Sequence, residues 1–168
     1  MLPDLVDQWL AKLRTLPTRE QVACVLIAAR RCEPRASRWF EGQKPGPAHR
    51  DYVSCLERWV AGKASDKELD KAARPFDRRL NREIEYEPDL PGAMAAHALL
   101  DTEAIALGYS PEMLDEILRT AVFFSAAAFT GSQNVPVEVD TDRLSPAELT
   151  FIQEWWQECM RSLASLGS

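Results

Sequence analysis

The 168-residue sequence lacks several features that define common classes of protein. It contains no apolar run of about 18 residues, the length that a membrane-spanning helix requires. Its first residues, MLPDLVDQWLAKLRTL, place charges among the apolar side chains. A secretory signal has a basic start and an unbroken apolar centre instead. These absences predict a chain with no membrane segment and favour a cytoplasmic location.

Cysteine is too scattered to indicate a disulfide framework or a zinc site. The four cysteines are Cys24, Cys32, Cys55 and Cys159, and they form no CxxC pair and have no histidine nearby in the sequence. In a cytoplasmic chain such cysteines are typical of small buried hydrophobic residues. We therefore expect four free thiols in the core.

Groups that could carry catalysis are also scarce. The sequence has no glycine-rich phosphate loop and no GxSxG motif. Of the two histidines, His49 begins a predicted helix and is expected in solvent, and His97 shares a helix face with Asp101. A helical metal site would need HExxH or repeated ExxH, which is absent. We predict a protein that is not an enzyme and has no cofactor and no metal; a small metal-dependent enzyme using His97 and Asp101 is the weakest alternative.

Cations are nearly missing from the second half of the chain. Residues 1–83 carry 17 Lys and Arg against 12 Asp and Glu, a net charge of +5, whereas residues 84–168 carry 3 against 14, a net charge of −11. Between residues 83 and 118 there are nine carboxylates and no Lys or Arg. This asymmetry indicates either pairing between the halves or an exposed acidic face that meets a basic partner.

Arginines of the first half form two groups that raise the question of nucleic-acid binding. The groups are Arg30, Arg31, Arg35 and Arg38, and Arg74, Arg78, Arg79 and Arg82. The overall charge is −6 and the calculated pI is about 5.0, so a polyanion is repelled at long range. We predict that these arginines pair with acids or are solvated, and that the protein binds no nucleic acid.

Helix signals dominate the sequence. Three S/T-x-x-E/Q capping boxes begin at Thr18, Ser65 and Ser145. Glycines that follow apolar-periodic segments mark helix ends. Apolar residues recur at helical spacing between these marks. The predicted helices cover residues 3–15, 19–41, 47–61, 66–82, 92–107, 111–129 and 146–165.

The remaining features complete an all-α prediction for one domain over residues 1–168. Pro34 and Pro75 fall inside predicted helices and should kink or split them. Only residues 135–142 alternate as a strand does, within a long loop at 131–145 that has no partner strand. The alanine-rich segments AMAAHALL and FFSAAAF favour close contact between the fifth and sixth helices. The adjacent Trp155 and Trp156 either straddle one apolar face or include one half-exposed ring.

Three stretches resemble a known family. The first is AARRCEPRASRWFEGQKPGPAHRDYVSCLERWVAGKASDKELDKAA (28–73), the second is the alanine-rich pair at 92–107 and 119–129, and the third is LTFIQEWWQECMRSL (149–163). Their order is similar to that of small all-helical immunity proteins of bacterial polymorphic toxin systems, and the likeness covers most of the chain. The resemblance implies a protein that binds one toxin tightly and thereby neutralises it.

The acidic residues then become candidates for toxin binding, since acids speed the encounter with a basic partner. The candidate partner-binding residues are Glu85, Glu87, Asp89, Asp101, Glu103, Glu138, Asp140 and Asp142. A helical adaptor or oligomerising scaffold, in which the basic half of one chain meets the acidic half of another, is the main alternative, so a homo-oligomer stays open.

Charge reversal tests the segment from 85 to 89. If it steers the toxin, the combined change Glu85→Lys, Glu87→Lys and Asp89→Lys slows association roughly tenfold at low ionic strength and weakens its salt dependence. Stopped-flow or surface-binding kinetics with the toxin measures both. Unchanged kinetics removes this segment from the binding surface.

Overall fold

The protein is described by a computed structural model that covers residues 2–41, 47–83, 90–108, 111–132 and 141–166. Within these ranges the regular structure is entirely helical. The α-helices are α1 (Leu2–Thr15), α2 (Thr18–Glu41), α3 (Pro47–Val60), α4 (Asp66–Glu83), α5 (Leu90–Leu107), α6 (Leu114–Thr130) and α7 (Pro146–Leu166), with short 3-10 turns at Pro111–Met113 and Thr141–Arg143. Each boundary lies within three residues of its prediction, so the all-α fold is confirmed.

Of the three predicted capping boxes, the one at Ser145 forms in full and the one at Ser65 forms its hydroxyl bond. The hydroxyl of Ser145 accepts a hydrogen bond from the backbone N–H of Glu148, and the Glu148 carboxylate accepts one from the N–H of Ser145, both at 3.2 Å. The hydroxyl of Ser65 likewise accepts the N–H of Glu68 at 3.1 Å. Each bond satisfies an N–H that the first turn of a helix leaves without an intrahelical partner.

The third capping box, predicted at Thr18, is wrong. The side chain of Gln21 is buried and donates to the carbonyl oxygens of Leu13 and Arg14, at 3.3 and 2.9 Å. These carbonyls belong to the last turn of α1, which has no intrahelical donors for them. Gln21 therefore closes the preceding helix instead of capping the start of its own.

Gly131 ends α6 in the left-handed conformation, with φ of 75°. This conformation lets the N–H of Ser132 reach the carbonyl of Ala127 at 2.9 Å. A Cβ at position 131 would meet the guanidinium of Arg35 at 3.2 Å. The positive φ favours glycine at this helix end, where the sequence predicts a helix to stop; the sequence also predicts a helix end at Gly42, which lies outside the described residues.

The two prolines inside helices do not split them, contrary to one of the two expected outcomes. Both α2 and α4 continue without a break across Pro34 and Pro75. A proline removes one N–H and therefore frees the carbonyl four residues earlier, here on Arg30 and Lys71. All four of these residues are exposed, so water can bond to the freed carbonyls and the helices persist.

The helices share one apolar core with α5 at its centre. α5 packs most extensively on α6 and α2 and also contacts α4. Its buried face carries Ala95, Ala96 and Ala98, and α6 brings Ala126 and Ala127 to the same core. Small side chains let two helix backbones approach closely. The predicted contact between the two alanine-rich helices is confirmed.

Both tryptophans of α7 are buried, so they straddle one apolar face. Trp155 is fully buried, and its indole N–H donates to the carbonyl of Cys24 at 2.7 Å. Trp156 is 7% exposed and stacks on Trp9 with ring centroids 6.2 Å apart. The four cysteines are free and buried, as predicted.

The bond from Trp155 to Cys24 predicts unequal effects of two similar substitutions. Trp155→Phe removes the indole donor to the Cys24 carbonyl and creates a small cavity in the core, and should lower the free energy of unfolding by about 2–4 kcal/mol. Trp156→Phe, the control, removes ring area and no such bond, and should lower it by about 1 kcal/mol. Urea denaturation measures both, and equal losses would contradict the role of the hydrogen bond.

Candidate interaction surface

Most of the predicted partner-binding acids lie outside the described part of the chain. These are Glu85, Glu87, Asp89, Glu138 and Asp140. The remaining three, Asp101, Glu103 and Asp142, have defined positions. Asp142 is exposed in the 3-10 turn that precedes α7.

Asp101 and Glu103 point into the protein because they belong to the central helix α5. Glu103 is only 8% exposed. Asp101 is half-buried, and its Oδ2 atom is buried without a hydrogen-bond partner. α2, α4 and α6 cover α5 on several sides, so few of its side chains reach water. Neither carboxylate therefore adds much to an exposed acidic surface.

The surroundings of Asp101 are strongly desolvated. Burial raises the pKa of its carboxyl from 3.8 to about 7. Burial also lowers the pKa of His97, one turn earlier, whose ring meets Phe124 edge-on at 6.1 Å. Both shifts favour the neutral form of the group. Burial thus favours the uncharged forms of both His97 and Asp101 on their shared helix face. The described residues include no cluster of three His, Cys, Asp or Glu side chains able to hold a metal ion.

His49 does not lie in solvent, and that expectation is wrong. Its side chain is 3% exposed and packs near Phe76, with ring centroids 6.1 Å apart. Burial lowers the pKa of His49. His49 is buried although it lies near the start of a helix, because this end of α3 packs against α4.

An exposed acidic surface is present at the start of α6. We use the name α6 acidic surface for Glu112, Met113, Asp115 and Glu116, all of which are exposed. Met113 is 49% exposed, unusually high for a large apolar side chain. Asp115 pairs with Arg14 of α1, whereas Glu112 and Glu116 form no ion pair within the described residues. The sequence prediction of partner residues omitted this surface, although three acids in five positions were a visible signal.

A hydrogen-bonded network holds Asp142 beside this surface. Arg119, one turn after Asp115, pairs with Asp7 of α1 at 2.8 Å and donates to the hydroxyl of Thr141 at 3.2 Å. That hydroxyl donates in turn to Asp7 at 2.7 Å. Burial acts to raise the pKa of Asp7, but the bonds from Thr141 and Arg119 lower it, and the net direction is down. The network fixes the 3-10 turn against α1 and α6.

Several arginines that suggested nucleic-acid binding are paired within the protein. Arg30 contacts Glu57 at 3.0 Å, and Arg31 contacts Glu154 at 3.2 Å. Arg74 contacts Asp70 at 2.6 Å. Pairs this exposed contribute little to stability, but they neutralise cations that would otherwise attract phosphate.

A surface groove of about 540 Å³ lies between α3 and α4. Its walls carry Asp51 and Glu68 against Arg58 and Lys71, so its charges balance. Burial raises the pKa of the Cys55 thiol at its base. A protonated thiol is a poor nucleophile, and the groove contains no histidine to activate it.

Comparisons with protein-family models, with curated proteins and with solved structures give no match to this chain. The resemblance to immunity proteins therefore stays a prediction that depends on the three stretches quoted above. In the described part of the chain, no helix combines the length and apolar character needed to cross a bilayer.

Asp101 predicts a pH dependence of stability. Its folded-state pKa of about 7 lies above the ordinary 3.8, so the folded state binds more protons than the unfolded state between these values. Stability is therefore highest below pH 4 for this group and falls by on the order of a few kcal/mol as the pH rises to 7. Asp101→Asn removes this loss.

Urea denaturation of the unaltered protein and of each variant at pH 5 and pH 8 measures the effect. The Asn variant should lose less stability between the two pH values than the unaltered protein, and an exposed control, Glu112→Gln, should lose as much. Equal losses of stability in all three proteins would show that ionisation of Asp101 costs the folded state little free energy.

Proposed function

We propose that this protein is a non-enzymatic immunity protein of the cytoplasm, which neutralises a basic toxin by direct binding. The observation that carries the proposal is the excess of acids over cations in the second half of the chain. The second half of the chain has 14 carboxylates and 3 cations. Two of these acids, Asp115 and Glu154, form ion pairs with Arg14 and Arg31 of the first half.

The α6 acidic surface is the best-defined part of this excess. Its unpaired Glu112 and Glu116 attract a cationic partner over a distance of about 10 Å at moderate ionic strength. Met113 lies among them and offers an apolar contact that exclusion of water would strengthen. Acids around an exposed apolar side chain match a partner whose Lys and Arg residues surround an apolar depression.

The chemistry of the described interior supports binding over catalysis. Burial lowers the pKa of both histidines. It raises the pKa of Cys32 to about 12 and that of Cys55 above its usual value. These groups therefore stay neutral near pH 7 and are enclosed, whereas a catalytic nucleophile needs a thiolate or a base beside it and access to substrate.

Co-expression tests the function as a whole. A large secreted protein with a variable C-terminal domain, if encoded immediately upstream, would supply the candidate toxin. Its expression alone should stop growth, and this protein should restore growth and form a stable complex with the toxin domain. Continued growth arrest, with both proteins present and folded, would contradict the proposal.

Single charge reversals test the α6 acidic surface. Glu116→Lys should lower the association rate constant with the toxin by roughly fivefold at low ionic strength, because it removes an attractive charge from the approach surface. Asp51→Lys, on α3, changes the net charge equally and serves as the control. Stopped-flow measurements at several salt concentrations compare them, and equal slowing would assign the effect to net charge alone.

A further inference from the structure

A second surface, at the C-terminal end of α6, differs from the acidic one. Phe129 is 50% exposed, the highest value among the large apolar side chains described. It packs on Phe151 of α7 with ring centroids 5.0 Å apart. The guanidinium carbon of Arg31 lies 5.8 Å from the Phe129 ring and 5.2 Å from the Phe151 ring. An exposed aromatic ring is thus held in place by an arginine and a second ring.

Arg31 is itself fixed from several directions. Its Nη2 contacts Glu154 at 3.2 Å, and its Nη1 is buried with no hydrogen-bond acceptor among the described residues. The faces of the two phenylalanine rings supply its remaining contacts. Aromatic residues and arginine dominate the energetic centres of protein interfaces, and rigid side chains lose little entropy on binding. This composition indicates an interface centre.

The charges on the two sides of Phe129 are opposite. α2 and α7 run antiparallel, because Arg31 lies against Phe151 and Glu154, whereas Cys24, earlier on α2, accepts from Trp155 and Cys159, later on α7. Arg35, one turn beyond Arg31, lies beside Gly131, where its Nη2 is 3.2 Å from the place of a Cβ. Glu158 lies one turn beyond Glu154 on α7, on the other side of Phe129 from Arg35. Neither Arg35 nor Glu158 forms an ion pair within the described residues.

We propose that a second copy of this chain docks on this surface, which we call the Phe129 surface. A two-fold axis near Phe129 would bring the two Phe129 rings together and place Arg35 of each copy against Glu158 of the other. The numbers of cationic and acidic side chains on the Phe129 surface are nearly equal. This surface therefore suits a second copy of itself better than the strongly basic partner proposed for the α6 acidic surface. The inference does not depend on the toxin-binding function.

Sedimentation velocity over a range of concentrations tests the proposal with the full chain. The unaltered protein should pass from monomer to dimer as its concentration rises. Phe129→Ser should weaken dimerisation by at least about tenfold, the loss expected for an interface centre. Leu5→Ser is the matched control, because Leu5 is 41% exposed on α1 and should leave the dimer unchanged. A chain that is monomeric at every concentration overturns the proposal.

A charge exchange tests the geometry of the pairing. Arg35→Glu and Glu158→Arg should each weaken the dimer, since each places like charges against one another across the axis. The double variant restores opposite charges and should recover most of the affinity. Circular dichroism confirms that each variant is folded. A double variant that is weaker than both single ones would overturn the two-fold arrangement.

Discussion

Close approach of helix backbones at α5 is the constraint on which the rest of the molecule depends. Alanines on α5 and α6 remove the side-chain bulk that would hold the two helices apart, and α2 closes over the same helix. Once α5 is enclosed, its polar residues must be neutral or internally bonded. Thr102 meets this requirement by donating its hydroxyl to the carbonyl of Ala98 at 3.0 Å. The Oδ2 atom of Asp101 has no such bond among the described residues, and burial raises the pKa of this carboxyl and so favours its neutral form.

Local chemistry predicted the helices well, and long-range packing accounts for what it missed. The capping bonds at Ser65 and Ser145 depend on residues three positions apart, so the sequence alone specifies them. Gln21 fits the same local pattern, yet its side chain donates to the carbonyl of Leu13 in α1, eight residues earlier. His49 was misjudged for a similar reason, because its burial is decided by α4 and not by its own helix. The prolines were tolerated because they face water.

The candidate surface was predicted less completely, because a count of acidic residues does not show whether their side chains face the solvent or the core. Glu103 and Glu112 belong to the same acidic run, but one is buried on a central helix and the other is exposed at the start of α6. The α5 segment has no clear polar side, so helical spacing could not assign an outward face to its acids. The start of α6 has such a side, and there the exposed acids follow the helical pattern.

The bonds that fix the 3-10 turn at Thr141 also bear on how the chain folds during synthesis. Asp7 and Thr141 are 134 residues apart, and Cys24 and Trp155 are 131 apart. Contacts this distant are uncommon in a helical domain, where most contacts are local and folding is fast. α1 packs on α6 and α7, so neither of these partners is present until the second half of the chain has been synthesised. Until then the apolar face of α1 is exposed to other proteins in the cell.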